Sequence, residues 1–444
     1  MTVLVLHHRG SLAATPYDTW LADYDGEVLL LASREYLDLV GEDLPTADHG
    51  YRHAEAVHDY EVSGRVEARS LDLAREYGVR HVIACQERDL ERAAQLRDIL
   101  GLPGQRLDSV IPFRDKVLMK ELVRAAGLET AEQQAVECAA DILSFADEHG
   151  FPLVLKPRDS ASSVGLSIIG SRVELDAYLT DEFDLYGPHQ PNLMAESFVA
   201  GPMCHVDGLV VDGRLVMAWP SQYQYTLSSF REDTGGRLDL TLDVDDPVTG
   251  RLIEFTERVL EALPGPRDFT FHAEVFHTPD DRLVLCEIAC RTGGAAVRDI
   301  IRTLFGVDPS ECWVRAQLGL PLPAVLGTER LKPTRMAGQL VLMKRPGRVV
   351  AIPEEAPPFP WLEKFRVFVR PGQVMEAASF SGDFMVTAIV SGPDRAACGT
   401  RLRQVESWFL GELVLEDTSA QVTAGCSPRI HDPELRVAGS SPAR

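Results

Sequence analysis

Residues 283–294 read LVLCEIACRTGG, a strand-like apolar run that carries Glu287 and Arg291 and stops at two glycines. Alternate residues of a strand point to opposite faces. Leu283, Leu285, Glu287, Ala289 and Arg291 are therefore expected on one face, and Val284, Cys286, Ile288 and Cys290 on the other, which has no charge and reads as core. Just upstream, DFTFHAEVFHTPDDR puts His272, Glu274 and Phe276 on one face ahead of the turn-forming Pro279, Asp280 and Asp281. A hairpin centred on Asp280 and Asp281 sets Glu274 opposite Glu287. Like charges so opposed destabilise a sheet unless something positive lies between them. Mg²⁺ suits two carboxylates, being a hard ion that keeps several waters and is shared with phosphate oxygens. An exposed hairpin face with two solvated acids is the plain alternative, and the hairpin alone does not choose between them.

Length and charge bound the remaining possibilities. The 444 residues are enough for about three domains. With 45% hydrophobic and 25% charged residues the composition is that of a globular chain. Lys plus Arg total 44 against 67 Asp plus Glu, a net charge of −23, so neither nucleic acid nor anionic membranes are expected as partners. MTVLVLHHRG reads as a first strand rather than a signal peptide, and no apolar run approaches a membrane span. Eight cysteines, several in strand-like or helical patterns, fit reduced thiols and a cytoplasmic location. Cys286 and Cys290 read as small core residues, not zinc ligands.

Residues 1–110 alternate strand and helix signals: VLVLHH, EVLLLAS, the helical SLDLAREYG, the strand VRHVIAC and the helix RDLERAAQLRDILG, with Gly78 and Gly101 at helix C-termini. This predicts an α/β layer with a parallel sheet. Pro112 opens a new unit in which Val117, Leu118, Leu122, Val123 and Ala126 recur at helical spacing. FPLVLKPRDSASSVGLSIIG reads as strand, polar loop and strand, and Val-Asp-Gly-Arg at 211–214 as a hairpin turn. An irregular polar stretch is expected over about 221–248, then helices in GAAVRDIIRTLFG and PSECWVRAQLGL, then mostly strands from about 330 with a helix near 394–410.

Lys156 follows the apolar PLVL, so its ammonium emerges at a buried strand end beside Asp159, Ser160, Ser162, Ser163 and Gly165. Backbone amides of such a loop can turn onto phosphate oxygens while a lysine adds point charge, although a plain polar hairpin loop has the same composition. In chain order the motifs are Asp115-Lys116 opening a helix, Lys156-Pro157 before the Ser/Gly loop, Glu196 before SFVAG, the facing Glu274 and Glu287, and Arg291 with Gly293 and Gly294. Over roughly residues 1–415 this succession resembles the ATP-grasp superfamily, and within it the carboxylate–amine ligases that include L-amino acid and dipeptide ligases.

The resemblance implies an α/β and α+β ATP-grasp fold: an N-terminal α/β domain (1–110), a small lid subdomain (111–200), a large subdomain core (201–325), a C-terminal β-rich subdomain (326–417), and a tail, 418–444, expected to be disordered. It implies ATP clasped between the two subdomains, with Mg²⁺ as the second cofactor. Lys116 and Lys156 would meet the phosphates, and Lys156 also the adenine. The loop carrying Ser162, Ser163 and Gly165 would cover the phosphates, Glu196, Phe198 and Val199 would meet the adenine, and His205 the ribose or phosphates. Glu274 and Glu287 would hold Mg²⁺. Arg291 would bind the carboxylate being activated or its phosphorylated product, with Gly293, Gly294 and Arg298 beside the substrate. The expected partners are a small-molecule carboxylate and an amine, amino acids foremost, and a homodimer is the prior for assembly.

Two positions depart from the pattern. The family strand usually reads Glu, any residue, Asn, any residue, Arg, and here Ala289 stands in the Asn place; Met203 or Cys204 stands where many members carry an acid on the ribose. The implied activity is an ATP-dependent ligation through an acyl phosphate. A carrier-protein thiol or bicarbonate as the second reactant, or a nucleotide-binding protein weakened in turnover, are the alternatives. His272 reads as a satisfied strand histidine, and Tyr223, Tyr225 and Phe230 as loop anchors or an acceptor pocket.

Overall fold

Strands Thr2–His7, Glu27–Ser33, Tyr51–Val57 and Val79–Ala84 form a parallel sheet in which Thr2–His7 lies between Glu27–Ser33 and Val79–Ala84, with Tyr51–Val57 outermost. Thr2–His7 is buried along its whole length, as expected for a parallel strand covered on both faces. In this computed structural model residues 1–417 are described, apart from 47–48, 185–191, 227–228, 230–234 and 354, so Phe230 and the tail from 418 lie outside the described residues. Gly78 and Gly101 end their helices with φ of 63° and 66°, the left-handed conformation in which a Cβ is costly.

A second, antiparallel sheet orders Gln133–Val136, Leu193–Ser197, Leu153–Pro157 and Ser167–Ile169. Helices Ala139–His149 and Arg172–Asp181 back it, closing a separate small core around Ile142, Phe145, Leu153, Leu155 and Leu175. The unit thus carries its own apolar interior.

The third sheet has eight antiparallel strands, running from Leu283–Ala289 and Phe269–His277 through Met203–Val211, Arg214–Tyr223, Arg237–Thr241 and Met336–Met343 to Phe384–Gly392 and Leu362–Val367. One apolar core lines one face, from Val206 and Phe271 to Leu340, Val390 and Phe409. The opposite face is polar: His205, Asp207, Arg237, Asp239, His272 and Glu274 all project from it.

The stretch 221–248, expected to be irregular, contains the strand Arg237–Thr241 and the start of helix Pro247–Ala262. Leu238, Leu240 and Leu242 alternate into the core, a period-two signal that the neighbouring polar residues obscure. The turn at Asp212 and Gly213, with φ of 53° and 74°, closes its hairpin as anticipated. Among the described residues no helix is long and apolar enough to cross a membrane.

Candidate active site

The hairpin pairs Glu274 directly with Glu287 and His272 with Ala289. A bulge corrects the simple alternation. Glu274 faces Glu287, but Val275 faces Leu285, which leaves Cys286 unpaired and turns Leu285 into the core with Ile288 and Cys290. Upstream of the bulge the faces are therefore exchanged: Leu285 is fully buried apolar, while Cys286 lies close enough to Lys156 to feel its charge.

Asp115 caps helix Lys116–Ala125 by accepting from the amides of Val117 and Leu118, so the first side chain of that helix, Lys116, points to the hairpin. Its Nζ lies 3.3 Å from Glu287 Oε2 and donates to Ser160 O at 2.6 Å. One lysine thereby ties the loop after Leu153–Pro157 to the carboxylate pair. One helical turn on, Lys120 is fully buried and donates to Glu196 Oε1 at 2.9 Å and to Leu285 O at 3.2 Å. Lys156 Nζ meets the other oxygen, Glu196 Oε2, at 2.6 Å. Burial raises the Glu196 carboxyl, but Lys120 and Lys156 outweigh it and bring it down to about 2.

Phe198 and Val199 follow Glu196 at the open end of its strand, where the Phe198 ring is exposed. Ser162, Ser163 and Gly165 all have positive φ, 59°, 60° and 71°, so the loop turns sharply there. Ser162 O accepts from Ser381 Oγ at 3.0 Å.

Arg291 lies at the other end of the hairpin strand, and its Nε donates to Glu87, at the start of helix Glu87–Leu100 of the N-terminal sheet layer. Glu87 also pairs with Arg114. Burial pushes Glu87 up, yet Arg291 and Arg114 prevail and hold it at about 2. Lys116, Lys156, Glu196, Glu274, Glu287 and Arg291 are thus joined along one polar seam.

Other expected site residues lie elsewhere or are already engaged. His205 is fully buried, its Nδ1 on Asp207 and its Nε2 on Asp239 at 3.0 Å, which leaves neither nitrogen for a ribose or phosphate. The Arg298 guanidinium binds both oxygens of Asp308, donates to Ala14 O at 2.7 Å and lies over the Trp20 ring, so it clamps the N-terminal sheet layer to the large sheet. Gly293 packs on the His272–Asp207 hydrogen bond, and Gly294 faces open space. Tyr223 stacks on His205 and donates to Glu274 Oε1 at 3.3 Å, and Tyr225 lies under Arg237. His272 sits between Asp207, at 2.8 Å, and Glu274, at 3.6 Å, and is raised to about 9: burial lowers it, and Asp207 more than compensates.

Lys120, Glu87, Asp207 and Asp239 were not singled out from the sequence. Lys120 had a signal, a second lysine at i+4 on the buried helix stripe with Val117, Met119 and Val123. Asp207 shares a strand face with His205. For Glu87, some 200 residues from Arg291, no local pattern exists.

The donor set of the hairpin, two facing carboxylates without a thiolate, fits a hard divalent ion. No family model matches the chain. It is 24% identical over 276 residues to the L-arginine-specific L-amino acid ligase of Bacillus subtilis, a match covering 60% of this chain and 64% of that protein. The chain therefore aligns with just under two thirds of that relative. Among solved structures, an L-amino acid ligase from Bacillus licheniformis superposes with a TM-score of 0.74 at 18% identity, covering 94% of this chain and 99% of the other. The biotin carboxylase domain of the Hydrogenobacter thermophilus 2-oxoglutarate carboxylase, solved with MgADP and bicarbonate, gives 0.69 at 14% identity over 93% and 90%. The chain has the fold of these structures, the ATP-grasp fold, and in sequence it is similar to the L-amino acid ligase of Bacillus subtilis.

Proposed function

We propose that this chain is an ATP-dependent ligase that joins the carboxylate of an amino acid to an amine through an acyl phosphate, releasing ADP and phosphate. The observation that carries the reading is the 3.3 Å approach of Lys116 to Glu287, which places an ammonium from the lid side against the facing carboxylates Glu274 and Glu287. Glu274 and Glu287 would hold Mg²⁺, which when bound neutralises charge on the triphosphate and on the transferring phosphoryl group.

The chain's own groups supply the rest. A carboxylate attacks an anionic triphosphate only if repulsion is offset and the oxygen is held in line with the γ-phosphorus. Lys116 and Lys156 provide the positive charge, and Glu196, held by Lys120, keeps Lys156 in place. The loop of Ser162, Ser163 and Gly165 would lay backbone amides over the phosphates, and the strand end at Phe198 and Val199 would take the purine edge. Arg291, oriented by Glu87 and by Thr292 O at 3.1 Å, presents a guanidinium to the substrate carboxylate and later to the oxyanion that forms when the amine attacks. The amine displaces phosphate, and closure of the 160–165 loop would keep water from the intermediate.

Phosphate release from ATP and Mg²⁺, measured across amino acids singly and in pairs with mass spectrometry of the products, tests the reading. Pair-dependent release with a dehydrated adduct, absent in Glu287→Gln, is the expected result. ATP binding with no release for any pair would overturn it for amino acids, whereas release that needs bicarbonate in place of the carboxylate, or a carrier thiol in place of the amine, would move that substrate to the corresponding class.

A further inference from the structure

On the face that carries the facing glutamates, the next cross-strand pair is His272 with Ala289. Ala289 contributes only a methyl group there, and the imidazole opposite is turned towards Glu274: His272 Nε2 lies 3.6 Å from Glu274 Oε1. Its other nitrogen, Nδ1, is 2.8 Å from Asp207 Oδ1. Asp207 is buried and bound in turn to His205, which is anchored by Asp239. The backbone of Gly293 covers this contact so closely that a Cβ there would lie 2.8 Å from His272 Nδ1 and 2.9 Å from Asp207 Oδ1.

We infer that His272, through Nε2, is a third protein ligand of the divalent-ion site, beside Glu274 and Glu287 and oriented by Asp207. This rests on the reading above that the two glutamates hold the ion. Three observations support it. First, 3.6 Å is too long for a hydrogen bond, and it is close to the roughly 3.0–3.5 Å that separates two ligands each about 2.1 Å from one ion. Second, a metal-bound histidine almost always donates its remaining N–H to a carboxylate or carbonyl, and Asp207 fills that role. Third, the Asp207 side of the imidazole is already engaged: His272 Nδ1 and Asp207 Oδ1 are at hydrogen-bond distance, 2.8 Å, and both His205 nitrogens meet carboxylates, so Nε2 is the nitrogen turned to the glutamate.

An imidazole nitrogen suits Mn²⁺ better than Mg²⁺, which prefers oxygen throughout. A site with His272 as ligand therefore favours Mn²⁺.

The experiment is pulsed electron paramagnetic resonance of Mn²⁺ bound to the full chain with ADP, alongside Mn²⁺ and ADP titrations. The wild type is expected to show the nitrogen coupling of a directly bound imidazole. His272→Gln should lose that coupling and weaken Mn²⁺ binding at least tenfold, with metal-free ADP binding and circular dichroism unchanged. Asp207→Asn, which leaves the imidazole but unties it, should weaken Mn²⁺ binding by about 10- to 100-fold and guards against a folding defect in the first variant. Mn²⁺ bound without nitrogen coupling, or held as tightly by His272→Gln, overturns the inference while leaving the glutamate pair intact. Failure of the wild type to bind Mn²⁺ with ADP overturns both the inference and the metal site on which it rests.

Discussion

Lys156 and Glu196 lie 2.6 Å apart on neighbouring strands, both almost fully buried, and the second oxygen of Glu196 takes Lys120. Two ammonium groups share one carboxylate away from water. Replacing Glu196 with Gln leaves both cations uncompensated, and breaking a buried pair in this way costs about 3–5 kcal/mol. Chemical denaturation of Glu196→Gln should show that loss. Lys120→Met, which removes one of the two cations and leaves the pair with Lys156, should be milder.

Acid should destabilise the protein through the same groups. Glu196 and Glu87 are each held at about 2 in the folded chain, below the ordinary value of 4.5. A carboxyl depressed on folding contributes stability that is complete above its unfolded pKa and lost as pH falls towards the folded one. Each therefore contributes on the order of 3 kcal/mol at neutral pH, which drains away between about pH 4.5 and 2. Urea midpoints across that range should fall steeply for the wild type and less steeply for Glu87→Gln. An equal slope in both would remove Glu87 from this account.

Arg291 and Arg298 are about two helical turns apart in sequence and do different work. Arg291 pairs with Glu87 at the polar seam, whereas Arg298 is tied to Asp308, Ala14 O and the Trp20 ring. Arg291→Lys should lower turnover by at least tenfold with a small change in melting temperature, because a lysine cannot reproduce the planar fork. Arg298→Lys should do the reverse: a melting point lowered by several degrees, with kcat per folded molecule within about twofold of wild type.

The two glycines that close the hairpin strand are predicted to respond oppositely to alanine. A Cβ on Gly293 collides with His272 and Asp207, so Gly293→Ala should cost about 1–3 kcal/mol. Gly294 has nothing within 4 Å of where its Cβ would stand, and Gly294→Ala should fall within about 0.5 kcal/mol of wild type. Thermal denaturation of both variants side by side measures the difference.

Much of the site was legible as linear pattern. Counting back from Asp280 and Asp281 puts Glu274 opposite Glu287, but the pairs next to the turn, His277 with Leu283 and Val275 with Leu285, run one residue off that count, and it is the bulge that brings the two glutamates level. The helix ends at Gly78 and Gly101 and the turn at Asp212 and Gly213 were equally local. The bulge at Cys286 was not, since one extra residue in one strand leaves no mark on composition. His205 illustrates the limit differently: alternation places it on the polar face with Asp207, but only the neighbouring strand, with Asp239, shows that both its nitrogens are spent.

What the amino-acid sequence by itself determined is the set of local elements and the order of charged groups along them, because turn chemistry and the 2.0 and 3.6 periodicities act over a few residues. Only the tertiary structure decided which charges meet. Glu87 reaches Arg291, Lys120 and Lys156 converge on Glu196, and Asp207 holds His272, each pair brought together by sheet order and by packing between units. Such contacts depend on how buried faces stack. In a low-dielectric interior a charge must find its partner wherever the chain's fold supplies one, however distant in sequence.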